Sequence, residues 1–210
     1  IAATDISNIN ASTTGTITVT NNIDINGTSA EVAAAVGNVD TFGGSPTVTL
    51  SNDHTLAELK AINNAISGTI TLDNYSVALT GSAADVKAAL AGTFAATYTG
   101  NVTLTDANVT NIAATDITTI EGDTSGTITV SNAIDINGSG SEVAAAFAAI
   151  DTNTGNATAT ITGNAYTVAQ LKAINNATTG AITLSTTNTN LTGTAADLVS
   201  AFAGTITTHT

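Results

Sequence analysis

The chain has 210 residues, 42% of them hydrophobic and only 9% charged, and its 16 acids against 3 basic residues leave a net charge of −13. That charge repels phosphate backbones and no basic patch offsets it, which argues against nucleic acid and anionic membrane surfaces as partners. No apolar run reaches the ~20 residues of a membrane span, and with no cysteine there is neither a disulfide nor a thiolate metal site.

In chain order, Ile1-Ala-Ala-Thr-Asp-Ile6 comes first, then Gly15-Thr-Ile-Thr-Val19, where β-branched apolar and polar residues alternate. Such alternation predicts a half-buried strand. After a polar bend, Ile23-Asp-Ile25 forms a second short apolar stretch, and Asn26-Gly27 supplies a turn signal. Thr28-Ser-Ala-Glu31 opens an alanine-rich segment with helical spacing. The same grammar returns with the run after Pro46, the segment opened by Thr55-Leu-Ala-Glu58, the strand Gly68-Thr-Ile-Thr-Leu72 and the stretch Val77-Ala-Leu79. In Ala83-Ala-Asp-Val-Lys-Ala-Ala-Leu90, the residues Val86, Ala89 and Leu90 share one helical face. Glycines such as Gly68 and Gly126 are expected to close the preceding helices. A further strand is expected after Gly100.

At Ile112 the chain begins again. Ile112-Ala-Ala-Thr-Asp-Ile117, Gly126-Thr-Ile-Thr-Val130 and Ile134-Asp-Ile-Asn-Gly138 repeat earlier words at an offset of 111. Leu171-Lys-Ala-Ile-Asn-Asn176 and Ala195-Ala-Asp197 repeat theirs at an offset of 112, so one residue was gained between Asp151 and Leu171. Strand runs recur after Ala157 and Gly180, and Leu191 stands for the short apolar stretch. Fixed-period self-similarity is the mark of repeat architectures. Units of this size cannot bury an apolar face alone, because helices of about ten residues are marginal in water. The fold expected is therefore α/β: a right-handed solenoid of strand–turn–short-helix coils with a parallel sheet. Residues 1–111 form a first long repeat and 112–210 a second, truncated one, stacked continuously. Two α+β repeat domains are the alternative. Starting at Ile1 and stopping opposite Thr99, the chain is expected to be a piece of a longer parent.

Six helix starts fit a capping box, in which a hydroxyl and an acid or amide three residues on satisfy two backbone donors. They are Thr28/Glu31, Thr55/Glu58, Ser82/Asp85, Ser139/Glu142, Thr167/Gln170 and Thr194/Asp197. Among the other acids, Asp24 and Asp135 sit in Ile-Asp-Ile-Asn-Gly, and with Asn26 and Asn137 they offer the oxygen ligands calcium takes. Plain solvated turn residues are the competing reading, since neither a glycine-rich nonapeptide nor an EF-hand loop is present. Calcium is thus the one cofactor to weigh.

No active site assembles. His54 has no histidine counterpart in the second copy, His209 lies at the very end, and no Ser/His/Asp set, P-loop or dinucleotide pattern occurs. Three tyrosines, four phenylalanines and no tryptophan give little for a sugar-cleaving cleft to stack on. The chain reads as a non-enzyme. Its candidate binding surface is a threonine face: Thr16/Thr18, Thr47/Thr49, Thr69/Thr71, Thr127/Thr129 and Thr158/Thr160 point away from the apolar residues between them. Stacked coils would set them in files about 4.8 Å apart, interrupted at Asn101 and Ala181. This resembles the Thr-X-Thr ranks of ice-binding β-solenoids, although threonine also simply suits an exposed strand.

Phrases such as Leu171-Lys-Ala-Ile-Asn-Asn-Ala-Thr-Thr-Gly180 and Leu191-Thr-Gly-Thr-Ala-Ala-Asp-Leu198 resemble the Thr/Ala/Gly/Asn-rich tandem repeats of very large bacterial surface and secreted proteins, those of marine cyanobacteria especially. The resemblance implies an extracellular or cell-surface structural role as stalk, sheath or filament, partnered by itself or by neighbouring repeats. A calcium-dependent adhesive module, or one gripping ice or glycans through the threonine face, is the alternative.

Overall fold

A computed structural model describes residues 1–186 and 190–208 of the chain. It is a mixed α/β structure, and contacts divide it into two compact units. The first comprises Ile1–Thr80, Ala84–Asn101 and Asp123–Gly126, and the second Gly81–Ala83, Val102–Gly122 and the residues from Thr127 onward.

Helix α1 (Ala3–Ser12) is followed by strands β1 (Thr18–Val19) and β2 (Asp24–Gly27), helix α2 (Ser29–Gly37), and strands β3 (Thr41–Phe42) and β4 (Thr47–Leu50). Helix α3 (Leu56–Ala65), strands β5 (Ile70–Thr71) and β6 (Leu79–Gly81) and helix α4 (Ala83–Leu90) come next. In the first unit β2, β4 and β5 form one parallel sheet, while β1 and β3 pair separately, also in parallel. The register aligns Ile25, Val48 and Ile70 in one file, all fully buried. Burying each such side chain contributes about 1.5–3 kcal/mol. Outside that file, Asp24 faces Thr47, and Asn26 faces Thr49, which faces Thr71. Helices α1, α2 and α3 pack in sequence order against one another. Each contributes an apolar stripe at helical spacing, Val32, Ala35 and Val36 from α2 and Leu59 and Ile62 from α3.

In the second half lie β7 (Val102–Leu104), β8 (Asn111–Ala113), α5 (Ala114–Asp123), β9 (Ile128–Val130), β10 (Asp135–Gly138), α6 (Gly140–Ala149) and β11 (Thr152–Asn153). They are followed by β12 (Thr158–Ile161), α7 (Val168–Ala177), β13 (Ile182–Leu184), α8 (Ala195–Ala201) and β14 (Ile206–Thr208). Strands β8, β10, β12, β13 and β14 are neighbours in that order, all parallel, with Ile112, Ile136, Ala159 and Ile182 in the buried file. Strands β7, β9 and β11 make a further parallel set. Helices α6, α7 and α8 pack successively, and α6 mirrors α2 with Val143, Ala146 and Phe147 inward.

The expected strand runs and second apolar stretches thus lie where the alternation put them, apart from the short stretch at Leu191, where the described residues contain no strand. The glycines differ in their reason. Helix α3 ends at Ala65, and Gly68 follows after Ile66 and Ser67 with no left-handed backbone. A Cβ on Gly68 would collide with the Pro46 carbonyl, and one on Gly126 with that of Gly100. These glycines are required by close approach of adjacent backbones rather than by helix closure.

Candidate functional site: the aspartate–threonine face

The sheet register brings two candidate sets together. In the first unit the Asp24 carboxylate accepts from the Thr47 hydroxyl at 3.0 Å and from the Thr49 hydroxyl at 3.1 Å. In the second, Asp135 accepts from Thr158 at 3.0 Å and Thr160 at 3.1 Å. Both arrangements arise because the aspartate occupies the outward position of its strand and the next strand, 23 residues on, offers threonines at its own outward positions. Asn26 and Asn137 lie on the same face, one outward position further along. Thr183 continues the second row, and its hydroxyl meets that of Thr207 at 3.0 Å.

The remaining threonines do not join one file. Thr18 lies on the β1–β3 pair opposite Thr41, and Thr129 on β9 between Thr103 and Thr152. Thr16, Thr69 and Thr127 precede their strands. The threonine face is therefore divided among separate sheets, and its row of Thr160, Thr183 and Thr207 lies beside Asn137 in the second unit.

At five of the six expected helix starts the hydroxyl accepts from the amide three residues on. Four boxes are complete, at Thr28/Glu31, Thr55/Glu58, Ser139/Glu142 and Thr167/Gln170. At Thr194 the hydroxyl accepts from the Asp197 amide and donates to its carboxylate at 2.8 Å, while that carboxylate is also paired with Lys172 at 2.7 Å. The backbone bond from Thr28 holds Glu31 below the usual carboxylate range, as that from Ser139 does Glu142. For Glu58, burial pushes upward, but bonds from Thr55 and Ser29 prevail and the net direction is down. The Lys172 bond is the main influence lowering Asp197.

Sequence reasoning missed a second use of the acids, as clasps on the backbone of a neighbouring segment some 23 residues away. Asp40 accepts from the Ile17 amide at 2.7 Å, and Asp151 from the Ile128 amide at 2.8 Å. Asp106 accepts from the Ala83 amide at 2.8 Å, and Asn52 from the Ser29 amide at 2.7 Å. The recurrence of Asp40 as Asp151 within the 111-residue offset was the available signal. Asn63 and Asn175 do the same in reverse, donating to the carbonyls of Ala88 and Ser200 at 2.7 and 2.9 Å.

His54 is also structural in its surroundings. It is buried, and its Nε2 lies 3.0 Å from the oxygen of buried Tyr98, whose hydroxyl donates to the Val77 carbonyl at 2.7 Å. With that hydroxyl proton committed, Nε2 must be the donor to Tyr98, and Nδ1 is left as an acceptor with no partner. Burial lowers the affinity of His54 for a second proton and pushes the Tyr98 hydroxyl up. In the second copy Tyr166 takes the place of His54 and donates instead to the Thr186 carbonyl at 2.9 Å. His209 lies outside the described residues.

Among the described residues no group of three or more His, Cys, Asp or Glu side chains converges on a point. A groove of about 460 Å³ in the second unit is lined by Val168, Ala169, Ala173 and Gly193 together with the Lys172–Asp197 pair. No helix of the described residues is long and apolar enough to cross a membrane. No family model matches the chain, and comparison with curated proteins and with solved structures returns no match.

Proposed function

We propose that this chain is a structural repeat module of an extracellular or cell-surface assembly, a segment of a stalk, sheath or filament. The reading makes it a right-handed solenoid in which the long repeats 1–111 and 112–210 stack, partnered by copies of itself or by neighbouring repeats, with no catalytic role and no required cofactor. One observation carries it: polar side chains are spent on segments one repeat of the strand and helix pattern away. Asp24, Asp40, Asn52 and Asn63 in the first copy, and Asp135, Asp151 and Asn175 in the second, each bond a residue 23 to 25 positions away. Such nearest-neighbour bonding suits a molecule whose task is length and surface. Small-angle scattering tests the architecture. A radius of gyration well above the ~17 Å of a compact domain of this length is expected, and a compact value refutes the solenoid.

A second reading is favoured by the meeting of Asp24 with Thr47 and Thr49, and of Asp135 with Thr158 and Thr160, on one kind of outward face. There the module would bind calcium, or ice or glycan hydroxyls, through that face. Calorimetric titration with calcium and a thermal-hysteresis measurement test it. Silence in both, together with no glycan retention, removes it.

A further inference from the structure

Helices α3 and α7 carry one word, Leu-Lys-Ala-Ile-Asn-Asn, and each starts from a complete capping box, at Thr55/Glu58 and Thr167/Gln170. The two starts differ in charge. Asp53, His54 and Glu58 stand where the second copy has the uncharged Ala165, Tyr166 and Gln170. Of the first three, His54 is the buried one, and it lies immediately before the cap of α3. Its Nε2 donates to the Tyr98 oxygen at 3.0 Å, and its Nδ1 is a buried acceptor without a partner. The titratable groups around it are Asp53 beside it, Glu58 in the first turn of α3 and Tyr98 beyond α4. From α2 the group bonded to this corner is the uncharged Ser29. Both carboxylates already serve other donors. Asp53 accepts from the Asn74 side chain at 2.9 Å, and Glu58 from the Thr55 amide at 2.9 Å and the Ser29 hydroxyl at 3.0 Å. A second proton on His54 goes to Nδ1. It creates a buried donor with no acceptor, and a cation at the positive end of the α3 dipole. All of these first-copy residues belong to the first unit.

We propose that His54 is an acid-triggered release in the first unit: its protonation breaks the bond to Tyr98 and loosens the start of α3 together with residues 94–99, while the start of α7 in the second unit stays closed. The charged ring satisfies Nδ1–H only by turning out to water or to the Asp53 carboxylate, and that turn takes Nε2 away from Tyr98. The Tyr98 hydroxyl keeps its bond to the Val77 carbonyl, but the tie across 44 positions to the α3 start is gone. Burial holds His54 below the ordinary imidazole range, outweighing the Asp53 and Glu58 charges, so the closed form binds fewer protons than the open one. Opening should therefore grow as pH drops below about 6.5, by up to about tenfold per pH unit until the native imidazole itself titrates. The inference does not depend on the role of the module, because it compares two helix starts within one chain.

Native-state hydrogen exchange of the whole 210-residue chain is the test, read by mass spectrometry as protection relative to intrinsic rates. The window runs from about pH 7.5 to about 4.5, across the ordinary imidazole value. In wild type, protection of α3 and of residues 94–99 should fall with pH while that of α7 holds. His54→Gln, which cannot take up the charge, should remove the pH dependence from the first set and leave α7 as it was. Circular dichroism establishes that the variant is folded, and His54→Tyr, with the residue the second copy uses, takes its place if it is not. The wild-type comparison of α3 with α7 needs no variant. Equal loss of protection in both helices is general acid denaturation and overturns the proposal. Protection of α3 that stays level across the window overturns it as well. So does a folded His54→Gln variant that opens as wild type does, because the trigger would then be Asp53 or Glu58.

Discussion

Tyr98→Phe probes a buried polar contact that the two copies do not share. The ring is 1% exposed and its hydroxyl makes two bonds, donating to Val77 at 2.7 Å and accepting from His54 at 3.0 Å. Phenylalanine fills the same space and keeps the tilted contact with Phe94 at 6.0 Å, so no cavity term arises. What is lost is hydrogen bonding, worth about 0.5–1.5 kcal/mol net for each bond, with an added cost where a buried donor is orphaned. His54 is 4% exposed and its Nδ1 already lacks a partner, so the variant leaves both ring nitrogens unsatisfied. The expected destabilisation is about 1–3 kcal/mol. Urea denaturation followed by circular dichroism should show a lower midpoint at unchanged slope. A double-mutant cycle with His54→Leu should return a coupling of about 0.5–1.5 kcal/mol. Zero coupling, or a Tyr98→Phe variant as stable as wild type, would refute the assignment of Nε2 as donor to the tyrosine.

Burial lowers the proton affinity of His54, outweighing the nearby Asp53 and Glu58 charges. Between the ordinary imidazole value near 6.5 and the lower native one, the unfolded chain binds more protons. Stability should therefore be level above about pH 6.5 and fall as pH drops through that window, and His54→Gln should flatten the fall. Denaturation midpoints taken in small pH steps check both curves. Thr28→Ala and Thr194→Ala each remove a hydroxyl that accepts a helix amide, and should each cost about 0.5–2 kcal/mol by chemical denaturation. By contrast, Lys60→Ala breaks a pair with Asp85 whose side chains are 39% and 43% exposed, and the measured loss should stay below about 1 kcal/mol. Val109 is a β-branched residue held at φ 58° and 79% exposed, so Val109→Asn should raise the thermal midpoint by relieving strain of about 1 kcal/mol.

The sequence by itself determined the hydroxyl caps, the helix faces and the strand runs, all of which close over a few residues. The four complete capping boxes are bonds between positions three apart, so hydroxyl and acid announce them without knowledge of the fold. Helix faces such as Val86, Ala89 and Leu90, all buried, follow from the turn of the helix alone. The strand runs follow from alternation, and the two copies from plain identity of words. Tertiary structure decided which strand lies beside which. Thr18 and Thr49 hold the same place in like words, yet one pairs with Thr41 in a two-stranded ladder and the other with Asn26 in a larger sheet. Nothing within either word distinguishes them, because strand-to-strand register depends on bend lengths and on what packs between. That same register gave Asp24 and Asp135 threonine partners, made Gly68 a residue of close approach, and joined His54 to Tyr98 across 44 positions of chain. Contacts that local geometry closes are written in local composition, and contacts between distant strands exist only once the apolar files have chosen their neighbours.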